Sequence, residues 1–162
     1  MASLVEELVS TLQAQQQNYS ELLILTEEKT KVVKENDIVT LTQITAAETV
    51  IVGKNQKLDH KREEIVKNIG IVLGHEAEEL TLTKIAELLT NEGEKTQILS
   101  LRDELKTTLQ TLKTKNDENK SLIETSLDHI EFTVNLLRAQ DAIGLNPDGT
   151  MAEGKNRFDA KG

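Results

Sequence analysis

The sequence predicts an all-α protein, an antiparallel bundle of three long helices and one short helix with a flexible C-terminal tail. Three observations lead there. The apolar residues are almost entirely Leu, Ile, Val and Ala, because the 162 residues include only three aromatics (Tyr19, Phe132, Phe158), no Trp and no Cys; sheets draw more heavily on aromatic side chains. Four of the eight glycines (Gly144, Gly149, Gly154, Gly162) and the single proline, Pro147, lie beyond residue 140, leaving the preceding chain short of the turn formers a sandwich or barrel needs. Finally, apolar residues recur three and four apart over long stretches, the period of one helical face. The length suits one hydrophobic core, so one domain is expected over 1–139, with a tail at 140–162.

The first helix is expected from Ser3 to about Lys34, where Val5, Leu8, Leu12, Tyr19, Leu22 and Val33 form a stripe. Asn36-Asp37 then supplies two good capping residues. The stripe restarts at Ile38 and runs through Leu41, Ile44, Ile51, Leu58, Ile65, Ile69 and Val72, a second helix ending between Gly70 and Gly74. The Gly70-x-x-x-Gly74 spacing resembles a membrane helix-packing motif, but it reads here as the fraying end of that helix. Gly74 to Glu79 is polar. Thr81 is placed to cap a short helix through Ile85, Leu88 and Leu89, and Asn91-Glu92-Gly93-Glu94 breaks or caps the next. The last helix, from about Glu94 to Ala139, holds a heptad-like register through Ile98, Leu101, Leu105, Leu109, Leu112, Asn116, Asn119, Ile123, Ile130 and Leu137. Its length of roughly 65–70 Å, against about 45–50 Å for the first helix, implies that it overhangs or bends.

Nineteen basic residues against 28 acidic ones give a formal charge of −9, which repels phosphate backbones and opposes a nucleic-acid partner. The start, Met1 to Glu7, has no positive n-region, and no apolar run approaches the roughly 18 residues that span a bilayer. A cytoplasmic protein without stable membrane insertion is expected, and the lack of cysteine agrees with a reducing compartment.

Polar residues interrupt the apolar stripes at regular places. Leu41, Glu48, Asn55, Arg62 and Ile69 are seven apart on the second helix, so three polar side chains share a seam with two apolar ones, and Asn116 and Asn119 are expected in the same situation on the last helix. Such groups fix register at some cost in stability, or they line a groove left open for a partner helix; both readings fit the sequence. Asn119→Leu is expected to preserve or raise thermal stability while loosening register or client fit.

Catalytic and metal signals are lacking. A di-iron bundle needs Glu and His three apart, whereas the residues three before His60, His75 and His129 are Lys57, Val72 and Ser126. Gly149 to Asn156 has the G-x-x-x-x-G-K spacing of a phosphate loop, but Asn156 stands where the Mg²⁺-binding hydroxyl is required and no strand precedes it. No enzyme activity, cofactor or metal is expected.

The first helix around Tyr19, Leu22-Leu23 and Glu27-Glu28-Lys29, the second entered at Asn36-Asp37 with Leu41, Glu48 and Arg62, and above all Asn116-x-x-Asn119-x-x-Leu122-Ile123-x-x-Ser126-Leu127 in a long last helix together resemble the FlgN-type flagellar export chaperones over about residues 3–139. The tail from Arg157 to Lys161 is similar in style to the ends of some Gram-positive members. The resemblance implies a cytoplasmic chaperone of the flagellar type III export pathway that uses no ATP. Such a protein binds the C-terminal helical segments of the hook-filament junction proteins FlgK and FlgL and hands them to the export gate protein FlhA.

An amphipathic client segment needs its apolar face covered before assembly, and a helix with surplus apolar surface can cover it. Leu122, Ile123, Leu127, Ile130, Phe132, Val134 and Leu137 form two adjacent apolar rows, wider than a two-helix seam requires. With Asn116, Asn119 and Phe158 of the tail they make up the candidate client-binding set, although Ile123, Ile130 and Leu137 are expected first in the bundle core, while Leu127 and Phe132 lie off the main stripe and are the better interface residues. A homodimer is an alternative cover for this end. The competing function is a structural helical-bundle or coiled-coil interaction protein without a dedicated export client.

Overall fold

Helix follows helix through short breaks, and a capping residue sets each break. The computed structural model describes residues 2–142, among which there is no strand. The helices are α1 (Ala2–Lys34), α2 (Ile38–Leu73), α3 (Leu82–Leu88) and α4 (Glu92–Ala142), with one 3₁₀ turn at Ala77–Glu79. The expected three long helices and one short one are present. α4 begins two residues earlier than expected, because Asn91 caps it by accepting from Glu94 N–H at 3.1 Å. It continues through Ala142, so residues 140–142 of the expected tail are helical; the rest of that tail lies outside the described residues.

The turn between α1 and α2 is closed at both ends by adjacent residues. Asn36 takes φ 56°, a left-handed conformation that Asn tolerates and β-branched residues do not. Its N–H reaches the Val33 carbonyl at 3.2 Å and Asp37 N–H reaches Val32 at 3.1 Å, the paired bonds of a Schellman ending. Asp37 then caps α2, its carboxylate accepting from the Thr40 N–H at 3.1 Å and the Thr40 hydroxyl at 2.6 Å. Those two bonds, side chain first, hold the Asp37 carboxyl below its ordinary pKa. A depressed folded-state pKa means that the cap contributes fully above the ordinary carboxylate value, and that this contribution is lost as the pH falls through the folded-state value. Asp37→Asn should keep the cap but flatten this part of the acid dependence, whereas Asp37→Ala should lower the melting temperature at neutral pH. Melting curves at neutral and acidic pH for the three proteins check both outcomes.

The end of α2 corrects one expectation. Gly70 and Gly74 do not mark fraying: Gly74 adopts φ 71° as the left-handed cap, and His75 N–H returns to the Gly70 carbonyl at 2.9 Å. A Cβ on Gly70 would lie 2.6 Å from the His75 carbonyl oxygen, so the residue is needed for a close backbone approach.

The packing directions follow from cross-helix side-chain pairs. Gln15 meets Asp59, Asn18 meets Asn55 and Lys29 meets Glu48, so numbering rises on α1 as it falls on α2, and the two run antiparallel. Gln16 meets Thr108, while Thr26 and Thr30 meet Asn119, so α1 and α4 run parallel. Two reversals restore the original direction, which gives an up-down-up bundle. The apolar core gathers Val5, Leu8 and Leu12 of α1, Ile65 and Ile69 of α2, Ile85 of α3 and Ile98, Leu101 and Leu105 of α4. Leu80, Leu82 and Leu89 join it, so the 74–91 connection is an integral part of that core. Full burial of each large side chain contributes about 1.5–3 kcal/mol before entropy is counted. No described helix is long and apolar enough to cross a membrane.

The chain divides into two compact units, Met1–Asn119 and Lys120–Gly162. The first contains this core. The second is described through Ala142 as the continuation of α4.

Candidate functional site

Beyond the main core of the first unit, buried side chains that hydrogen-bond are interspersed with buried apolar ones such as Ile51, Ile44, Val33 and Leu112. Gln15 is 1 % exposed; its amide N–H donates to the Asp59 carboxylate, while its carbonyl accepts from the Arg62 guanidinium at 3.5 Å. Tyr19 lies beside this pair. Its phenol is pushed above the ordinary value, first by burial and then by the Asp59 charge, with Arg62 opposing. Further along, Asn18 donates to Asn55 Oδ1 at 2.8 Å, and Lys29 pairs with Glu48 at 3.0 Å.

The heptad polar residues of α2 are therefore answered one by one from α1. This supports a register layer over an open groove, since any axial shift would separate several pairs at once. Two buried polar atoms in the layer have no hydrogen-bond partner, Asn55 Nδ2 and Gln16 Oε1.

Asn119 and Asn116 part company. Asn119 is 2 % exposed, donates from Nδ2 to the Thr26 carbonyl at 3.0 Å, and accepts from the Thr30 hydroxyl. Asn116 is exposed, which corrects its expected place in the seam. Three residues back along a helix is about 60° of rotation, enough to leave a narrow seam. The amide of Asn119 is thus committed inside the first unit.

The second unit has the opposite character. Leu122 and Ile123 are half-buried, but Leu127, Phe132, Val134 and Leu137 are exposed at 58, 65, 38 and 54 %. Leu136, outside the candidate set, is also exposed at 50 %. Its spacing of four from Phe132 was the available sequence signal.

At about 100° per residue, Leu127, Val134 and Leu137 fall within roughly 80° of one another, while Phe132 and Leu136 lie roughly 140–180° round from Leu127. Leu122 falls roughly 40° beyond Leu136 and roughly 60° short of Leu137, so the two rows adjoin in one broad apolar arc. A helix apolar over more than half its circumference and exposed on both rows has more surface than one neighbour covers. Among the candidates, the Ile130 side chain and Phe158 lie outside the described residues, as does the Gly149–Asn156 segment. Among the described residues, no three His, Asp or Glu side chains are grouped closely enough to hold a metal ion.

The sequence matches the family model FlgN, described as FlgN protein, over residues 1–153. No curated protein and no solved structure matches the chain.

Proposed function

The chain belongs to the FlgN family of flagellar export chaperones, and from that premise we propose that it binds the C-terminal helical segments of FlgK and FlgL in the cytoplasm, keeps them unassembled and delivers them to FlhA. The supporting observation is the pair of exposed apolar rows between Leu127 and Leu137. Client helices packed on them would remove side chains from water that each gain about 1.5–3 kcal/mol on full burial, offset in part by the entropy of association. Because the apolar arc covers more than half the helix circumference, the fitting client presents two helical segments side by side or wraps one segment round the helix. Asn119 serves register in this reading, while Leu127, Phe132, Val134, Leu136 and Leu137 make the contacts.

Calorimetric titration with C-terminal peptides of FlgK and FlgL tests the proposal. Binding with a Kd on the order of ten micromolar or tighter is expected. The Phe132→Ser/Leu136→Ser and Leu127→Ser/Leu137→Ser doubles should each weaken it about tenfold or more with little change in melting temperature, since the substituted side chains are exposed. Absence of binding at tens of micromolar, or equal binding of unrelated amphipathic helices, would overturn it. Sedimentation of the free chain tests the alternative cover: a dimer abolished by the same doubles, with no client affinity, would assign the rows to self-association.

A further inference from the structure

We propose that the groove bounded by α2, α3 and α4 in the first unit docks an acidic amphipathic helix of a partner protein, using residues other than the 127–137 rows. The groove encloses about 430 Å³. Leu82 and Leu105 form its buried floor, and Leu109, 43 % exposed, stands at its side. Its charged lining residues, Arg62, Arg102, Lys106 and Lys113, are all basic.

This sign runs against the rest of the chain, whose formal charge is −9. From Leu105 to Asn116 the sequence contains three lysines and no carboxylate. Arg102 is held by Asp103 at 2.8 Å and by the Thr83 hydroxyl at 2.9 Å. Lys106 and Lys113, by contrast, make no ion pair among the described residues. The adjoining concavity on the other side of Arg62 and Leu82 carries Asp59, Glu63 and Glu78, so the two neighbouring surfaces select opposite charges.

Arg102, Lys106, Leu109 and Lys113 follow one another at spacings of four, three and four, a single stripe along α4. The stripe spans about 17 Å, or three turns, at 1.5 Å per residue. A helix of similar length, with apolar residues on one face and carboxylates flanking them, would seat the first on the leucines and pair the second with the lysines. A nucleic acid would leave the leucines without apolar partners and meet the net negative charge. An anionic bilayer surface would meet the same net negative charge.

The experiment is fluorescence anisotropy of the full chain with a labelled synthetic helix of about five turns, leucines on one face and glutamates beside them. Binding with a Kd on the order of tens of micromolar is expected, weakening as salt is raised. Lys106→Glu/Lys113→Glu should weaken it about tenfold or more and Leu109→Ser severalfold, while Phe132→Ser/Leu136→Ser leaves it unchanged. The melting temperatures of the groove variants should stay close to that of the parent, so that lost binding is not lost folding. Equal binding of a lysine-for-glutamate peptide, indifference to the Lys106/Lys113 reversal, or loss with Phe132→Ser/Leu136→Ser would each overturn the assignment. Reversal-sensitive binding to phosphatidylserine vesicles without peptide binding would overturn it in favour of a lipid surface.

Discussion

Alanine at position 69 is expected to lower the free energy of unfolding by about 2–5 kcal/mol, a large part of a domain's stability. Ile69 is 0 % exposed and belongs to the cluster that joins α1, α2, α3 and α4. The loss falls toward the upper part of that range when surrounding atoms are unable to close the cavity. Here the next residue is Gly70, already in close approach to the His75 backbone, so the chain has little room to move inward. Ile71→Ala is the control. Ile71 is 73 % exposed and two residues away on the same helix, and its truncation should change stability by no more than about 0.5 kcal/mol. Urea unfolding followed by circular dichroism measures both; a loss below about 1 kcal/mol at position 69 would contradict the packing described.

Leucine at two buried asparagines should act in opposite directions. Asn119→Leu is expected to destabilise by about 1–2 kcal/mol, because it removes a donor from the Thr26 carbonyl and an acceptor from the Thr30 hydroxyl in a buried seam. This reverses the expectation drawn for Asn119 from its place in an apolar register alone. Asn55 is the better site for such a gain. It is 5 % exposed, and its Nδ2 is buried without a partner, so leucine there removes a desolvated, unanswered donor. Asn18, half-buried, loses its acceptor but can turn to water. Asn55→Leu should therefore be neutral or stabilising by up to about 1 kcal/mol, while relaxing the pairing that aligns α1 with α2. Thermal melts of the two variants decide the point, and equal destabilisation would refute the distinction between an amide paired through both its atoms and one paired through its oxygen alone.

The same contrast shows what was readable in advance. Asn36-Asp37, Thr81 and Asn91 were visible as breaks because a cap acts within a few residues: Asp37 on Thr40, Thr81 on Lys84 and Asn91 on Glu94. Glu48, Asn55 and Arg62 were visible as a polar run in a seam because seven-residue spacing is a property of one helix. Their partners, Lys29, Asn18 and Gln15, were not visible, since pairs 19 to 47 residues apart depend on which helix lies alongside and at what height. Asn116 shows the limit of periodicity. It shares a heptad-like spacing with Asn119, yet a modest rotation leaves one exposed and the other buried. In the candidate binding stretch, Leu127, Phe132, Val134 and Leu137 were legible as surplus apolar residues, whereas their exposure, and that of Leu136 beside them, emerged only from the structure.

By itself the sequence determined the all-α class, the number and approximate limits of the helices, and the family, because each rests on local spacing and on residues whose capping or packing preference is intrinsic. The tertiary structure decided which polar side chains are answered, that α1 and α4 run parallel, that Gly70 serves a close backbone approach, and that basic side chains of an acidic chain gather beside three leucines. All of these turn on residues distant in sequence becoming neighbours, where burial sets the cost of an unpaired group and the value of a paired one.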